Sequence, residues 1–261
     1  MSEDIFKNIF NLINSLSEEQ QDAFTKEFIN QKLKDKKDTY NMLVTYDTRT
    51  IETIKTLTDN LIKEHANKKD KPDSSEDSTT EKGKLLEDIA QNIFNSFPIF
   101  YIFSNIKNSS NEIDLVVNLN EDGKILQSDG LIPFKDKFFL VECKNYNNTV
   151  SVTWVGKFYS LINSVHTHLG ILLSYHGFSG KSQCKGWNSA SGLSKKIALS
   201  EKNLDDRIYI LDFNIEHIQK ICNGENLLYL IEDEIKKIDL DVNLDLSQYT
   251  HENIGKIQIE E

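Results

Sequence analysis

The chain has 261 residues, 38% of them hydrophobic and 27% charged, and carries a net charge of −11. That length allows one large domain, or a core domain with a smaller module, and the composition suits a soluble globular protein. Its three cysteines, Cys143, Cys184 and Cys222, include no CxxC pair, which excludes a disulfide framework and a zinc knuckle and makes a reducing cytoplasm the simplest setting.

Residues 1–66 read as an N-terminal helical module. Ile5, Phe6, Ile9, Phe10 and Ile13 recur at helical spacing, and the opening MSEDIFKNIFNLI has no basic leader of the kind a signal peptide carries. Ser17, with Glu19 and Gln20 behind it, offers a helix cap, and Phe24, Phe28 and Ile29 continue an apolar stripe. A third helix is predicted over Thr50–His65, with Ile51, Ile54, Leu57, Leu61 and Ile62 on one side. Three such helices suit a small bundle, a coiled-coil arm or a homodimerisation element. The stretch HANKKDKPDSSEDSTTEKG is nearly free of apolar side chains, so residues 67–82 are read as a flexible linker and 83–261 as the main domain.

Beyond the linker the pattern changes. A helix is predicted over Gly83–Phe97, then strands at Phe100–Phe103, Ile113–Leu119 and Phe138–Cys143. Asn120, Asp122 and Gly123 signal a turn. A helix over Val155–His168, strands at Leu169–Ser174 and Arg207–Leu211, a helix from Ile215 and another over Leu227–Ile238 complete the chain. The expected class is α/β, with a central mixed sheet flanked by helices. No apolar run is long enough to span a membrane.

Two segments carry chemistry: NEIDLVV, which contains Asp114, and FFLVECKNY, which contains Glu142 and Lys144. Phe138–Val141 is an apolar run typical of a strand buried on both faces. Side chains alternate along a strand, so Glu142 and Lys144 share one face and Cys143 points to the other. Burying a carboxylate and an ammonium there costs free energy unless each finds a partner. Asp114, between Ile113 and Leu115, is equally out of place in a strand. If the two strands adjoin, Asp114 and Glu142 converge, and two close carboxylates call for a cation between them. A hard ion such as Mg²⁺ or Mn²⁺ takes oxygen ligands of this type, and the Cys143 backbone carbonyl is a further donor. Glu87, on the helix in GKLLEDIAQ, is a fourth candidate. The bland alternatives are a cross-face salt bridge at Glu142/Lys144 and a solvated helix face at Glu87.

These residues resemble the PD-(D/E)XK nuclease superfamily, and within it the Mrr-like restriction endonucleases, over about Glu81–Ile238. The Asp would be Asp114, the ExK triplet Glu142-Cys143-Lys144 and the helical glutamate Glu87. TWVGKFYSLI and GILLSYHGFSGKS are similar to the helix, strand and loop that come after the triplet in Mrr-like enzymes. The resemblance implies a restriction-endonuclease-like core and metal-dependent hydrolysis of phosphodiesters, usually in double-stranded DNA, in restriction or phage defence. Glu112 and Ile113 stand where the family's proline would be, and the spacing from Asp114 to Glu142 is long. The insert NEDGKILQSDGLIPFKDK is therefore expected to form a hairpin or loop, and Asp129 within it is a possible substitute ligand. The alternatives are a nuclease for RNA or branched DNA, and a nucleic-acid-binding module without turnover.

Charge distribution supports an anionic partner despite the acidic total. From residue 137 to 200 there are seven lysines and one acid, Glu142, whereas residues 201–261 hold 15 acids and 6 bases. Lys181, Lys185, Lys195 and Lys196, interleaved with Gly180, Gly186 and Gly192, read as a flexible basic segment for phosphate contact or as a solvated loop. His166, His168 and His176 lack fitting partners for a metal site. Tyr146, Tyr159, Tyr175 and Trp187 are candidates for base stacking, though single aromatics more often serve packing.

Overall fold

The computed structural model of the chain describes residue 13 and residues 16–67, 76–107, 112–180 and 189–241. By its contacts the chain divides into two units, Met1–Leu43 and Val44–Glu261.

Among its described residues the first unit holds the long helix α1 (Glu18–Leu43). Ser17 and Gln20 cap it reciprocally: the Gln20 backbone N–H donates to Ser17 Oγ at 3.3 Å and the Ser17 N–H to Gln20 Oε1 at 3.0 Å. Phe24 and Phe28, one turn apart, stack at 6.2 Å and stay exposed.

The second unit opens with α2 (Thr48–Ala66), capped by Asp47, whose carboxylate accepts the Thr50 N–H at 2.9 Å. Ile54 and Leu61, seven residues apart on one helix face, are fully buried, and Thr58 lies between them. This face packs on the helices α3 (Glu76–Asn95) and α7 (Ile215–Cys222). Tyr46, just before α2, donates its buried hydroxyl to the Ile93 carbonyl at 2.9 Å. The sequence reading groups this helix with an N-terminal module and places a linker over 67–82. Instead α2 belongs to the sheet-bearing unit, because its apolar face is covered there, and α3 starts at Glu76, inside the expected linker. Residues 68–75 lie outside the described residues.

The sheet has five strands in sequential order: β1 (Phe100–Lys107), β2 (Glu112–Leu119), β3 (Phe138–Lys144), β4 (Leu169–Ser174) and β5 (Tyr209–Phe213). β2 runs antiparallel to both β1 and β3, whereas β3, β4 and β5 are mutually parallel. The α/β class and the mixed sheet thus agree with the sequence reading. β3 is central and β4 is buried along its whole length, as expected for a parallel strand covered on both faces. On one face α3 packs against the sheet, with Phe94 edge-on to Phe139 at 5.8 Å. On the other, α5 (Val152–Ser164) and α6 (Ala190–Ser200) cover Leu140, Leu172 and Ile210 with Val155, Phe158, Ile162 and Ala190. The last helix, α8 (Leu227–Asp239), packs on β5 and α6.

The insert between β2 and β3 is not a hairpin. It forms the helix α4 (Glu121–Ser128), whose N-cap Asn120 accepts the Gly123 N–H at 3.0 Å. Gly123 is there for closeness: a Cβ would lie 2.7 Å from the Ile99 carbonyl and 2.9 Å from Leu119 Cδ2. Among the described residues no helix is long and apolar enough to cross a membrane.

Candidate active site at the carboxyl end of strand β3

The apolar start of β3 is buried, with Phe139, Leu140 and Val141 at most 1% exposed. This anchors the strand between β2 and β4 and delivers its polar end to the sheet's rim. Glu142 lies beside Leu172 of β4, and Lys144 beside Ser174. On the other side Leu115 pairs with Val141, and the same register carried one residue further sets Asp114 opposite Glu142. Asp114, Glu142 and Lys144 thus share one face, as alternation within β3 and pairing with β2 require.

The Lys144 ammonium lies 2.5 Å from Glu142 Oε1 and 4.0 Å from Asp114 Oδ2, between the two carboxylates. It also donates to the Cys143 carbonyl at 3.1 Å and lies 4.9 Å from the centre of the Trp154 ring on α5. Asp114 Oδ2 accepts the Cys143 backbone N–H at 2.7 Å. The side chains of all three charged residues are only 13–15% exposed.

Glu142 is the under-served member. Its Oε2 is buried and has no hydrogen-bond partner among the described residues. Leaving such an oxygen bare costs about 1–3 kcal/mol, more for a charged group. Burial raises the Glu142 pKa; the Lys144 ammonium opposes this, while the Asp114 and Glu87 carboxylates add to it. Lys144 is held protonated, because its pairing with Glu142 outweighs the burial that would lower its pKa. Cys143, on the opposite face, is a buried thiol whose pKa burial pushes far up, so it packs rather than reacts. Glu87 reaches the site through its field: α3 brings it close enough to disfavour charge on both Glu142 and Cys143.

Among the described residues no three His, Cys, Asp or Glu side chains gather tightly enough to cage a metal ion. The donor set present is the Asp114 carboxylate, the Glu142 carboxylate with one buried oxygen lacking a donor, and the Cys143 carbonyl. That set fits an oxygen-seeking divalent ion that keeps several water or phosphate ligands.

Other expected contributors lie elsewhere. Asp129 caps the exposed end of α4, near the amino end of β3, and is no substitute for Asp114. Lys195 and Lys196 are on a helix rather than a flexible loop. Ser194 donates to the Ile210 carbonyl, level with Leu140, so the two lysines ride toward the amino ends of the strands. The Lys195 ammonium pairs with Asp241 at 3.0 Å. Lys181, Lys185 and Trp187 lie outside the described residues. His168 binds Asp136 at 3.2 Å at the amino end of β4, and exposed His166 lies at the same end of that strand. Tyr159 packs against the core.

Sequence reasoning misses two residues at the site's end of the sheet. Trp154 is legible only as part of a helix. His65, at the end of α2, lies 2.7 Å from Asn145 Oδ1 through Nε2 and stacks on Tyr175 at 3.6 Å. Nothing local signals that contact, which spans 80 residues. Compared with known protein families, curated proteins and solved structures, the chain matches none.

Proposed function

We propose that the chain is a metal-dependent nuclease with a PD-(D/E)XK-like active site, hydrolysing DNA phosphodiesters in a restriction or phage-defence role. The observation that carries this reading is the Lys144 ammonium held between Asp114 and Glu142 at the end of a core strand, with one Glu142 oxygen left bare. A stabilising ion pair does not need this arrangement. A site prepared for a cation and a phosphate does.

The chain's residues then divide the work. Asp114 and Glu142 hold a divalent ion through their oxygens, with the Cys143 carbonyl as a further donor. When bound, that ion supplies Lewis-acid polarisation of a phosphate oxygen and a more acidic water. Lys144 keeps its proton and sets its positive charge against the charge that gathers on the phosphate oxygens. Trp154 steadies the lysine from the α5 side. Glu87 adds negative field that favours the cation.

Plasmid and single-stranded DNA incubated with Mg²⁺ or with EDTA, beside Lys144→Ala, test the reading. Cleavage that needs the metal and disappears in the variant is expected. Cleavage indifferent to both would overturn the mechanism. A second reading, a binding module without turnover, draws support from the absence of a three-carboxylate cage among the described residues. It predicts DNA binding with no cleavage under any metal.

A further inference from the structure

Two strand exits frame the candidate site. β3 and β4 are parallel neighbours with Lys144 level with Ser174, so the segments leaving the two strands emerge side by side. Both exits carry aromatic rings. After Lys144 comes Tyr146, 40% exposed, its ring 5.9 Å from that of Trp154. After Ser174 come Tyr175 and the exposed His176, with ring centres 4.8 Å apart. The His65 ring lies flat on Tyr175 at 3.6 Å and edge-on to His176 at 5.4 Å. The loop bearing these rings is held in place. Ser174 Oγ accepts the Gly177 N–H at 2.9 Å, and Asp212 Oδ2 the Phe178 N–H at 2.8 Å. Val150 N–H bonds the Gly177 carbonyl at 2.8 Å. Gly177 itself has φ +74, and a Cβ there would meet the Asp212 oxygens at 3.1 Å, so a side chain at this position would be strained and crowded.

Tyr146 and His176 present exposed rings beside the proposed phosphate site, and the half-buried Tyr175, covered on one face by His65, backs His176. Two ammoniums lie over the Trp154 ring, that of Lys157 at 4.6 Å and that of Lys144, itself paired with Glu142, at 4.9 Å. Flat apolar faces beside cations match the bases and phosphates of a nucleic-acid strand. In an intact duplex the base faces are covered by their neighbours, and a protein in the grooves meets base edges and phosphates. Ring faces at this position therefore gain contact only from unpaired bases.

Resting on the nuclease reading above, we propose that Tyr146 on one side and His176, backed by the half-buried Tyr175, on the other stack on unpaired bases flanking the scissile phosphate. The site then acts on single-stranded DNA or on unpaired segments within a duplex.

Binding separates this from the chemistry. Anisotropy of a labelled DNA strand is measured with the full chain in Ca²⁺, which keeps the ion site occupied by a poor catalyst, at matched salt for single strand and duplex. Single strand bound about tenfold or more tightly than duplex is expected, with Tyr146→Ala/His176→Ala weakening it about tenfold and duplex binding unchanged. Tyr146→Phe retains the affinity, because the ring face and not the hydroxyl makes the contact. Both substituted side chains are exposed, and an unchanged melting temperature confirms the fold. Duplex bound as tightly as single strand, or a double variant equal to wild type, overturns the proposal. Selective single-strand binding without cleavage of any substrate would sink the nuclease reading and leave the stacking surface standing. Lys144-dependent cleavage of duplex with no effect of the double variant would do the reverse.

Discussion

Two glutamates in this fold are equally sheltered, and the protein treats them in opposite ways. The side chains of Glu142 and Glu234 are each 13% exposed. At Glu234, on α8, burial is outweighed: His217 at 3.1 Å and Lys237 at 2.7 Å converge on Oε1 and hold its pKa at about 2. At Glu142 burial wins over Lys144, two further carboxylates add their repulsion, and the pKa rises. Glu234 belongs to a completed cluster that ties α7 to α8, in which His217 also caps α7 through Asn214 and stacks on Phe213 at 4.7 Å. Glu142 belongs to a cluster in which one buried carboxylate oxygen has no hydrogen-bond partner among the described residues. Proteins tolerate such a deficit where function uses it, and complete the pairing where only stability is at stake.

Breaking each cluster should therefore have different consequences. The largest effect is expected from Lys144→Ala, which should lower metal-dependent cleavage about a thousandfold or more in single-turnover assays; the buried carboxylates it leaves unpaired should also lower the thermal midpoint, so rates are compared where calorimetry shows both proteins folded. Glu234→Gln should leave cleavage intact and cost stability alone. The usual glutamate value near 4.5 against about 2 in the fold corresponds to about 3 kcal/mol. Because the folded pKa is depressed, that contribution is complete above about pH 4.5 and lost as pH falls toward 2. Denaturant titrations of wild type and Glu234→Gln should thus differ at pH 6 and converge near pH 2, and a constant gap would contradict this role for the cluster. Trp154→Leu removes the ring beside the Lys144 ammonium and should slow cleavage about tenfold, with Trp154→Phe close to wild type. The smallest effect is expected at α6: Lys195→Glu/Lys196→Glu should change DNA affinity less than about twofold at matched salt, since Lys195 already pairs with Asp241.

The same contrast marks what the sequence can reveal. Glu142 and Lys144 are readable because a single strand's alternation puts them on one face, and Asp114 because an acid interrupts an apolar run. The hydrogen bond from Cys143 N–H to Asp114 joins residues 29 positions apart and needs the antiparallel register of β2 with β3, which no local pattern encodes. The helix α4 reads as turn and loop because Asn120, Asp122 and Gly123 are turn formers. Here Asn120 caps the helix and Gly123 lets it approach Ile99. The His217–Glu234 cluster leaves no trace in sequence, since its members lie 17 residues apart on separate helices. The allegiance of α2 is likewise invisible: its apolar stripe says that one face is buried, not which neighbour buries it.

The under-served oxygen of Glu142 is the centre of the proposed site, and melting against metal concentration tests it most directly. A ligand that binds only the folded state raises the midpoint in step with its concentration. Titrating Mg²⁺ or Mn²⁺ into wild type, Glu142→Gln and Glu234→Gln should raise the midpoint of wild type and of the Glu234 variant, and leave Glu142→Gln where it began. An equal rise in all three, or none in wild type, would show that the Asp114–Glu142 pair is not a metal site.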